Sequence, residues 1–413
     1  MRYIWNKLYQ TLYYFGVYCK FWPGPKRYML SELGLDSKHF NQAIAKIALD
    51  LQQHNYEAYI VGGALRDLLC DATIKPKDFD IVTSALPQQV KRCFSRSRVI
   101  GKRFKIVHVP VVKDIVEVST FRGKSSWLSR WRGARYQNNI YGSLEQDVWR
   151  RDFTANALYY NVKTSEVVDF VGGVEHIKAK KLVMIGDCAK RFKEDPVRIL
   201  RALRFTAKTG FEISDTMKKE IQKKKVLLQQ VSKDRLLLEL VKLFSHGHCK
   251  KSMQLLQDFH CLSILFPGFG RMPLNFNRIQ PFWDRAFANI DHHYRQKKRL
   301  SSSFLFAILL WPIFETQKKK IKRINIFQYK KLVNRVLKFE SRYIAIPKKL
   351  QEAIKELWLL QYTFETKTTP FGPDRVRQAR FHYAYELLMI RAKSDERLAE
   401  KALMWQPKRE NHS

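Results

Sequence analysis

Strand-like and helical patterns divide this 413-residue chain at about residue 213. Ahead of that point lie short apolar runs of strand length. After it come only amphipathic segments with helical spacing. Residues 56–61 form a short apolar run, Gly62-Gly63 follows, and residues 64–70 then read as a helix. Residues 78–82 (DFDIV) read as a second strand. Residues 106–112 and 115–120 are β-rich runs joined at Lys113-Asp114, which predicts a hairpin without the favoured turn glycine. A helix is expected over 41–54, because Ile44, Ile47, Ala48 and Leu51 fall on one face. Asp195-Pro196 marks another helix start, with an N-cap residue followed by proline at the first helical position. Near the C-terminus, Val376, Ala379, Tyr383, Leu387 and Ile390 step by threes and fours. The expected fold class is α+β: a head with a mixed β-sheet and helices, then an all-α neck, body and tail.

Charge narrows the function classes. Lys and Arg number 76 against 38 Asp and Glu, a net charge of +38. Such an excess opposes compaction by self-repulsion and points to a polyanionic partner, with nucleic acid first and an anionic membrane surface second. Residues 91–135 hold 13 basic and two acidic side chains, and residues 281–350 hold 17 and four. Two separated basic zones suit a long anionic ligand better than a single phosphate. Hydrophobic residues make up 45% of the chain, which excludes disorder over most of it. The longest apolar stretch, 304–314, is about half of what a bilayer crossing needs, so no integral membrane segment is expected. Residues 1–26 are aromatic and basic without a clean apolar core or a small-residue cleavage site; they read as an interfacial or partner-binding helix rather than a signal peptide. Six scattered cysteines form no Cys-x-x-Cys pair, and His246, His248 and Cys249 lack a second ligand pair with zinc spacing. This cysteine usage reads as reduced and cytoplasmic.

Four segments carry chemistry. In Asp78-Phe79-Asp80, positions i and i+2 of a strand share a face, so two carboxylates would sit side by side. Like charges so close need a counter-charge, and a divalent cation supplies it. Glu117 in the hairpin can bring a third carboxylate to the same place. Taken alone, a D-x-D is more often a pair of surface acids. Gly62-Gly63, with Arg66 and Asp67 behind it, suits close approach of a phosphate to backbone; alone, it is usually a turn. Arg150-Arg151-Asp152-Phe153-Thr154-Ala155-Asn156 reads blandly as a helix entry with surface charges. Asp195, Arg198, Arg201 and Arg204 make one basic edge along a helix, where a carboxylate and an arginine can read a base edge and further arginines reach phosphate; the bland reading is a salt-bridged exposed helix.

The ordered set GGALRD (62–67), DFD (78–80), RRDFTANAL (150–158), a D-F-x-G-G turn (169–173) and EDPVRILRALRF (194–205) resembles the class II tRNA nucleotidyltransferase and bacterial poly(A) polymerase family. The run 99–109, with Gly101, Lys102, Arg103, Phe104 and Lys105 ahead of His108-Val109, is similar to the poly(A) polymerase branch, lysines replacing two arginines. So is 117–123, which includes Arg122. Cys70-Asp71-Ala72 departs from the family's usual glycine, and Leu65 stands where valine is common; neither touches the carboxylates. The resemblance spans roughly residues 30–400. Residues 1–40 read as an N-terminal extension, of which 1–30 has no counterpart in the family, and the resemblance implies a nucleotidyltransferase head (41–160), a nucleotide-selecting neck (161–212), a helical RNA-binding body (213–345) and a helical tail (346–413).

The resemblance also implies template-independent addition of AMP from ATP to RNA 3′ ends with Mg²⁺. Asp78 and Asp80 would hold the metal, and the third carboxylate would be Glu117 or Asp152. One metal ion would activate the 3′-hydroxyl and a second stabilise the pyrophosphate leaving group. Gly62, Gly63 and Arg66 would lie near the triphosphate, Arg151 and Asp152 would help select the ribose, and Asn156 would also bind ATP. Asp195 and Arg198 would read adenine, supported by Arg201 and Arg204. Lys102, Arg103, Lys105 and Arg122 would contact RNA. The sequence names no protein partner. A CCA-adding or A-adding tRNA nucleotidyltransferase uses the same head chemistry and is the alternative. A non-enzymatic RNA-binding protein on a decayed scaffold is the lesser one.

Overall fold

The computed structural model describes residues 24–76, 79–101, 105–112, 114–123, 141–272, 276–298, 301–369, 371–372 and 378–407, without the side chains of 276–278. The chain divides into two compact units, Met1–Arg191 with Gly210–Lys218, and Phe192–Thr209 with Lys219–Ser413.

The first unit is built on one mixed sheet. Its strands are β1 (Lys26–Met29), β2 (Ala58–Val61), β3 (Asp80–Thr83), β4 (Arg98–Ile100), β5 (Ile106–Val111), β6 (Asp114–Thr120), β7 (Leu158–Asn161) and β8 (Glu166–Asp169). They lie in the order β1-β8-β7-β2-β3-β6-β5-β4. Only β3 and β6 run parallel. The expected hairpin is β5–β6, closed by the pair Val111↔Asp114. The expected glycine-turn unit is β2, Gly62 and helix Gly63–Cys70. Helix Gln42–Gln53 buries Ile44, Ile47, Ala48 and Leu51, the four residues its spacing selected. Lys26–Met29, inside the segment read as an extension, pairs with β8 as an edge strand. A separate two-stranded ladder joins β9 (Lys181–Leu182) and β10 (Glu212–Ile213).

Residues 150–156 are not a helix entry. Helix Leu144–Arg150 ends there, and a single 3₁₀ turn, Thr154–Asn156, follows. The turn is buried, as are Asp152 and Phe153.

Residues 161–212, expected as an all-α neck, also carry strands β8 and β9, β8 being part of the first unit's sheet, whereas in the second unit every described regular element is a helix. The apolar stretch 304–314 lies in helix Ser302–Lys318, where every residue from Ser303 to Phe314 is buried. Its character is that of an internal core helix, apolar all round. Among the described residues no helix is long and apolar enough to cross a membrane. Helix Ala379–Ala392 keeps part of the expected stripe: Leu387 and Ile390 are buried, Tyr383 is half-buried, and Val376 lies outside the described residues. Ala379 is exposed, and the buried face runs through Phe381, Ala384, Leu387, Leu388 and Ile390.

Candidate active site

Neighbouring parallel strands bring two carboxylates together. Asp80 at the start of β3 pairs in register with Glu117 on β6, and both are exposed. Residues paired this way project from the same sheet face. Glu117 is also in register with His108 of β5, whose Nε2 lies 3.6 Å from Glu117 Oε1. Gly62 faces Asp80 from the end of β2. Its φ of +91° is open to glycine at little cost, and a Cβ there would stand 3.4 Å from Asp80 Oδ2. The glycine thus leaves the space beside the carboxylate clear. Asp78 lies outside the described residues, as do Lys102 and Arg103. Among the described residues no group of three or more His, Cys, Asp or Glu is placed to hold a metal ion. The available oxygens still fit a hard cation, since Asp80 and Glu117 offer carboxylates on one accessible face with a side-chain-free margin at Gly62.

Behind this face, two motifs far apart in sequence are tied together. Arg66 is 1% exposed. Its Nε and Nη2 donate to Asp67 Oδ1 at 2.9 and 2.6 Å, and its Nη1 donates to Asn156 Oδ1. Asn156 Nδ2 in turn donates to Asp152 Oδ1 at 3.3 Å, and the same oxygen accepts the Phe153 N–H at 2.8 Å. Arg66 therefore spans 90 residues to pin the turn that carries Asp152 and Asn156. Gly63 makes room for this, because a Cβ there would lie 3.2 Å from Arg66 Nη2.

Arg151 points inward as well. Its Nε donates to Tyr159 OH at 2.7 Å and Asp147 Oδ2 at 3.2 Å, and Tyr159 OH donates to Asp147 Oδ2 at 2.9 Å. The carboxylate and phenol together push the guanidinium's pKa above its ordinary value, against the effect of burial. The D-F-x-G-G turn supports the same segment. Asp169 accepts the N–H groups of Val171, Gly173 and Val174, capping helix Gly173–Lys178. A Cβ on Gly173 would meet the Thr154 carbonyl at 2.5 Å, so only glycine fits against that turn.

Of the basic residues expected on RNA, Lys105 is exposed. Arg122 is half-buried, with its pKa lowered by burial, and its backbone N–H donates to Asp147 Oδ1 at 3.3 Å.

In the second unit, helix Val197–Thr209 lies against helix Lys233–Phe244. Asp195 Oδ2 accepts from Arg235 at 2.9 Å, and its Oδ1 is buried with no hydrogen-bond partner. Arg198 Nη1 donates to Glu194 Oε2 at 3.3 Å. Arg201 and Arg204 share Glu239, at 3.6 and 3.2 Å. The Arg204 guanidinium also sits 4.5 Å from the Phe205 ring centroid. Sequence reading assigned no role to Asp147, Tyr159, Arg235 or Glu239. For Asp147 a signal existed, since it stands four residues ahead of Arg151, an i,i+4 acid–base spacing. The other three meet their partners only through the fold.

Known proteins match this arrangement. The family model "Poly A polymerase head domain" matches residues 58–183, "Probable RNA and SrmB- binding site of polymerase A" matches 210–272, and "Polymerase A arginine-rich C-terminus" matches 326–413. Poly(A) polymerase I of Escherichia coli O6:H1 is 35% identical over 380 residues, covering 89% of this chain and 81% of that one. The CCA-adding enzyme of Bacillus cytotoxicus is 36% identical over 221 residues, 54% of either chain. Among solved structures, a Bacillus stearothermophilus CCA-adding enzyme in complex with CTP shares the fold. Its TM-score is 0.61 at 24% identity, covering 87% of this chain and 81% of that one.

Head fold and family matches together define a nucleotidyltransferase with a helical C-terminal part. Within that class, the chain belongs to the bacterial poly(A) polymerase family.

Proposed function

We propose that this protein polyadenylates RNA, adding AMP from ATP to 3′ ends. One observation carries the choice over CCA addition. Likeness to poly(A) polymerase I runs over 89% of the chain, whereas likeness to the Bacillus cytotoxicus CCA-adding enzyme, at similar identity, stops at 54%. The second reading, CCA or A addition to tRNA, draws on that shared half.

Asp80, with Asp78 beside it in sequence, would hold Mg²⁺, and the register of Glu117 with Asp80 favours it over Asp152 as the third carboxylate. The bound ion supplies activation of the attacking hydroxyl and charge stabilisation of the leaving pyrophosphate. Gly62 and Gly63 keep bulk away from the phosphates. Arg66 and Arg151 act by holding the 152–156 turn, which keeps Asp152 and Asn156 in place for the ribose. Asp195 and Arg198 read the Watson–Crick edge of adenine, in keeping with the unpaired buried oxygen of Asp195. Lys105 and Arg122, with Lys102 and Arg103, hold the RNA backbone.

The test offers purified protein two acceptors, an unstructured RNA and a tRNA lacking its 3′ end, with ATP and CTP separately and together. Long ATP-only tails on both acceptors are expected. Addition that stops after two C and one A on the tRNA, with no tail on the unstructured RNA, would overturn the proposal.

A further inference from the structure

Helix Ile326–Glu340 has two unlike faces. Tyr329, Leu332, Val333, Val336, Leu337 and Glu340 are buried. Phe327, Lys331, Asn334 and Lys338 are all exposed. At 3.6 residues per turn these four fall in one narrow stripe opposite the buried face, and Lys330 and Arg335 flank it. Phe327 is 74% exposed, and its neighbour Ile326 is 41% exposed. Immediately upstream Lys319, Lys320, Lys322 and Arg323 are exposed too. No Asp or Glu occurs between Lys318 and Phe339.

A run of lysines by itself describes a solvated helix face. A large aromatic ring standing in water among cations is different, because leaving it exposed forgoes burial worth about 1.5–3 kcal/mol. The pairing of the two suits a partner with both phosphates and flat apolar faces. A lipid surface asks for a continuous apolar face with cations at its margins. Here Ile326 and Phe327 occupy only the first turn, and the rest of the stripe is polar or cationic. Duplex nucleic acid offers phosphates but keeps its base faces stacked inside, whereas a single strand presents both.

We propose that the exposed face of helix Ile326–Glu340 is a docking surface for single-stranded RNA, with Phe327 stacking on a base and Lys331 and Lys338 on phosphates. The stripe from Phe327 to Lys338 is about 17 Å long, room for a few nucleotides of extended strand. The proposal rests on the reading that RNA is the acceptor, and it assigns a second place on the chain where that RNA is held.

Binding of a fluorescent oligoadenylate to the full-length protein, without ATP, tests it. Phe327→Ala should weaken binding about tenfold, within the range for one aromatic–base stack, and Phe327→Trp should restore it. Lys331→Gln combined with Lys338→Gln should lower the slope of log affinity against log salt by about 1.4, the share of two phosphates on a single strand. The ring is exposed, so Phe327→Ala leaves the fold intact, and a circular dichroism melt verifies this. Unchanged oligoadenylate affinity in Phe327→Ala would overturn the proposal. So would a variant that loses binding only to anionic phosphatidylserine vesicles. No nucleotide is incorporated in this measurement, so its outcome is separate from the ATP-against-CTP result above.

Discussion

Gly62 does work that a side chain would undo. An alanine at φ +91° costs about 1–3 kcal/mol in backbone strain, and its Cβ would touch Asp80 Oδ2. Gly62→Ala should therefore lower both the urea midpoint and AMP incorporation. Asp80→Ala should abolish incorporation while leaving the urea midpoint and RNA binding near wild type, because Asp80 is exposed. If both variants retained full incorporation, the carboxylate face would not be the reaction site. A different carboxylate contributes to the pH dependence of stability. Glu340 is fully buried, its Oε1 accepts the Gly268 N–H at 3.0 Å, and its Oε2 has no hydrogen-bond partner. Burial raises its pKa to about 7, with Arg271 opposing. The folded state thus binds this proton more tightly than the unfolded chain does. The stabilisation is complete below about pH 4.5 and is lost as pH rises through 7, up to about 3 kcal/mol in all. Urea midpoints should fall between pH 6 and pH 8.5, and Glu340→Gln should flatten that fall. At this scale the motifs are legible in the sequence, but the contacts their residues make are not. Arg66 and Arg151 stand inside recognisable motifs, yet their partners Asn156 and Tyr159 become visible only when the sheet folds.

Among the elements, helix Val197–Thr209 shows how a site can depend on a neighbour. Its arginines at 201 and 204 would repel each other along the shared edge, and Glu239 of helix Lys233–Phe244 pairs with both and offsets half of their charge. Glu239→Gln should lower the unfolding free energy by about 1–3 kcal/mol, the range for stripping a hydrogen-bonded charge from a buried cluster. Arg198→Ala should lose the preference for ATP over CTP, read as the ratio of the two incorporation rates; an unchanged ratio rejects the base-reading role. The elements themselves were unequally legible. Helix Gln42–Gln53 has one apolar stripe and polar residues elsewhere, so its spacing fixed the buried face. Helix Ala379–Ala392 carries aromatic or aliphatic residues on several faces, and the expected stripe keeps Leu387 and Ile390 buried but yields Ala379 to a face through Phe381, Ala384 and Leu388. Packing against helix Lys348–Thr366 decided between them: Gln361 Nε2 donates to the Ala384 carbonyl at 2.8 Å, and Arg391 donates to Gln361 Oε1 at 2.9 Å. The parallel β3–β6 pairing joins residues 37 apart in sequence. No turn links those strands directly, yet their register alone sets Glu117 opposite Asp80.

Across the whole molecule, the proposed function would give the charge of +38 two destinations with different physical behaviour. Arginines that read or frame a nucleotide act at hydrogen-bond range in partly buried settings, where salt screens little. Lysines spread over exposed surfaces act through released counterions, and that free energy falls steeply with salt. A single-stranded RNA held through about six phosphates should lose roughly 300-fold in affinity between 50 and 200 mM salt. The ratio of ATP to CTP incorporation, measured at saturating RNA, should stay constant over the same range. Parallel decline of the two quantities would mean that nucleotide choice is itself a long-range electrostatic effect, which would contradict the base-edge reading by Asp195 and Arg198. A constant ratio with falling affinity would separate the chain's charge into a short-range part that chooses the nucleotide and a long-range part that holds the strand being extended.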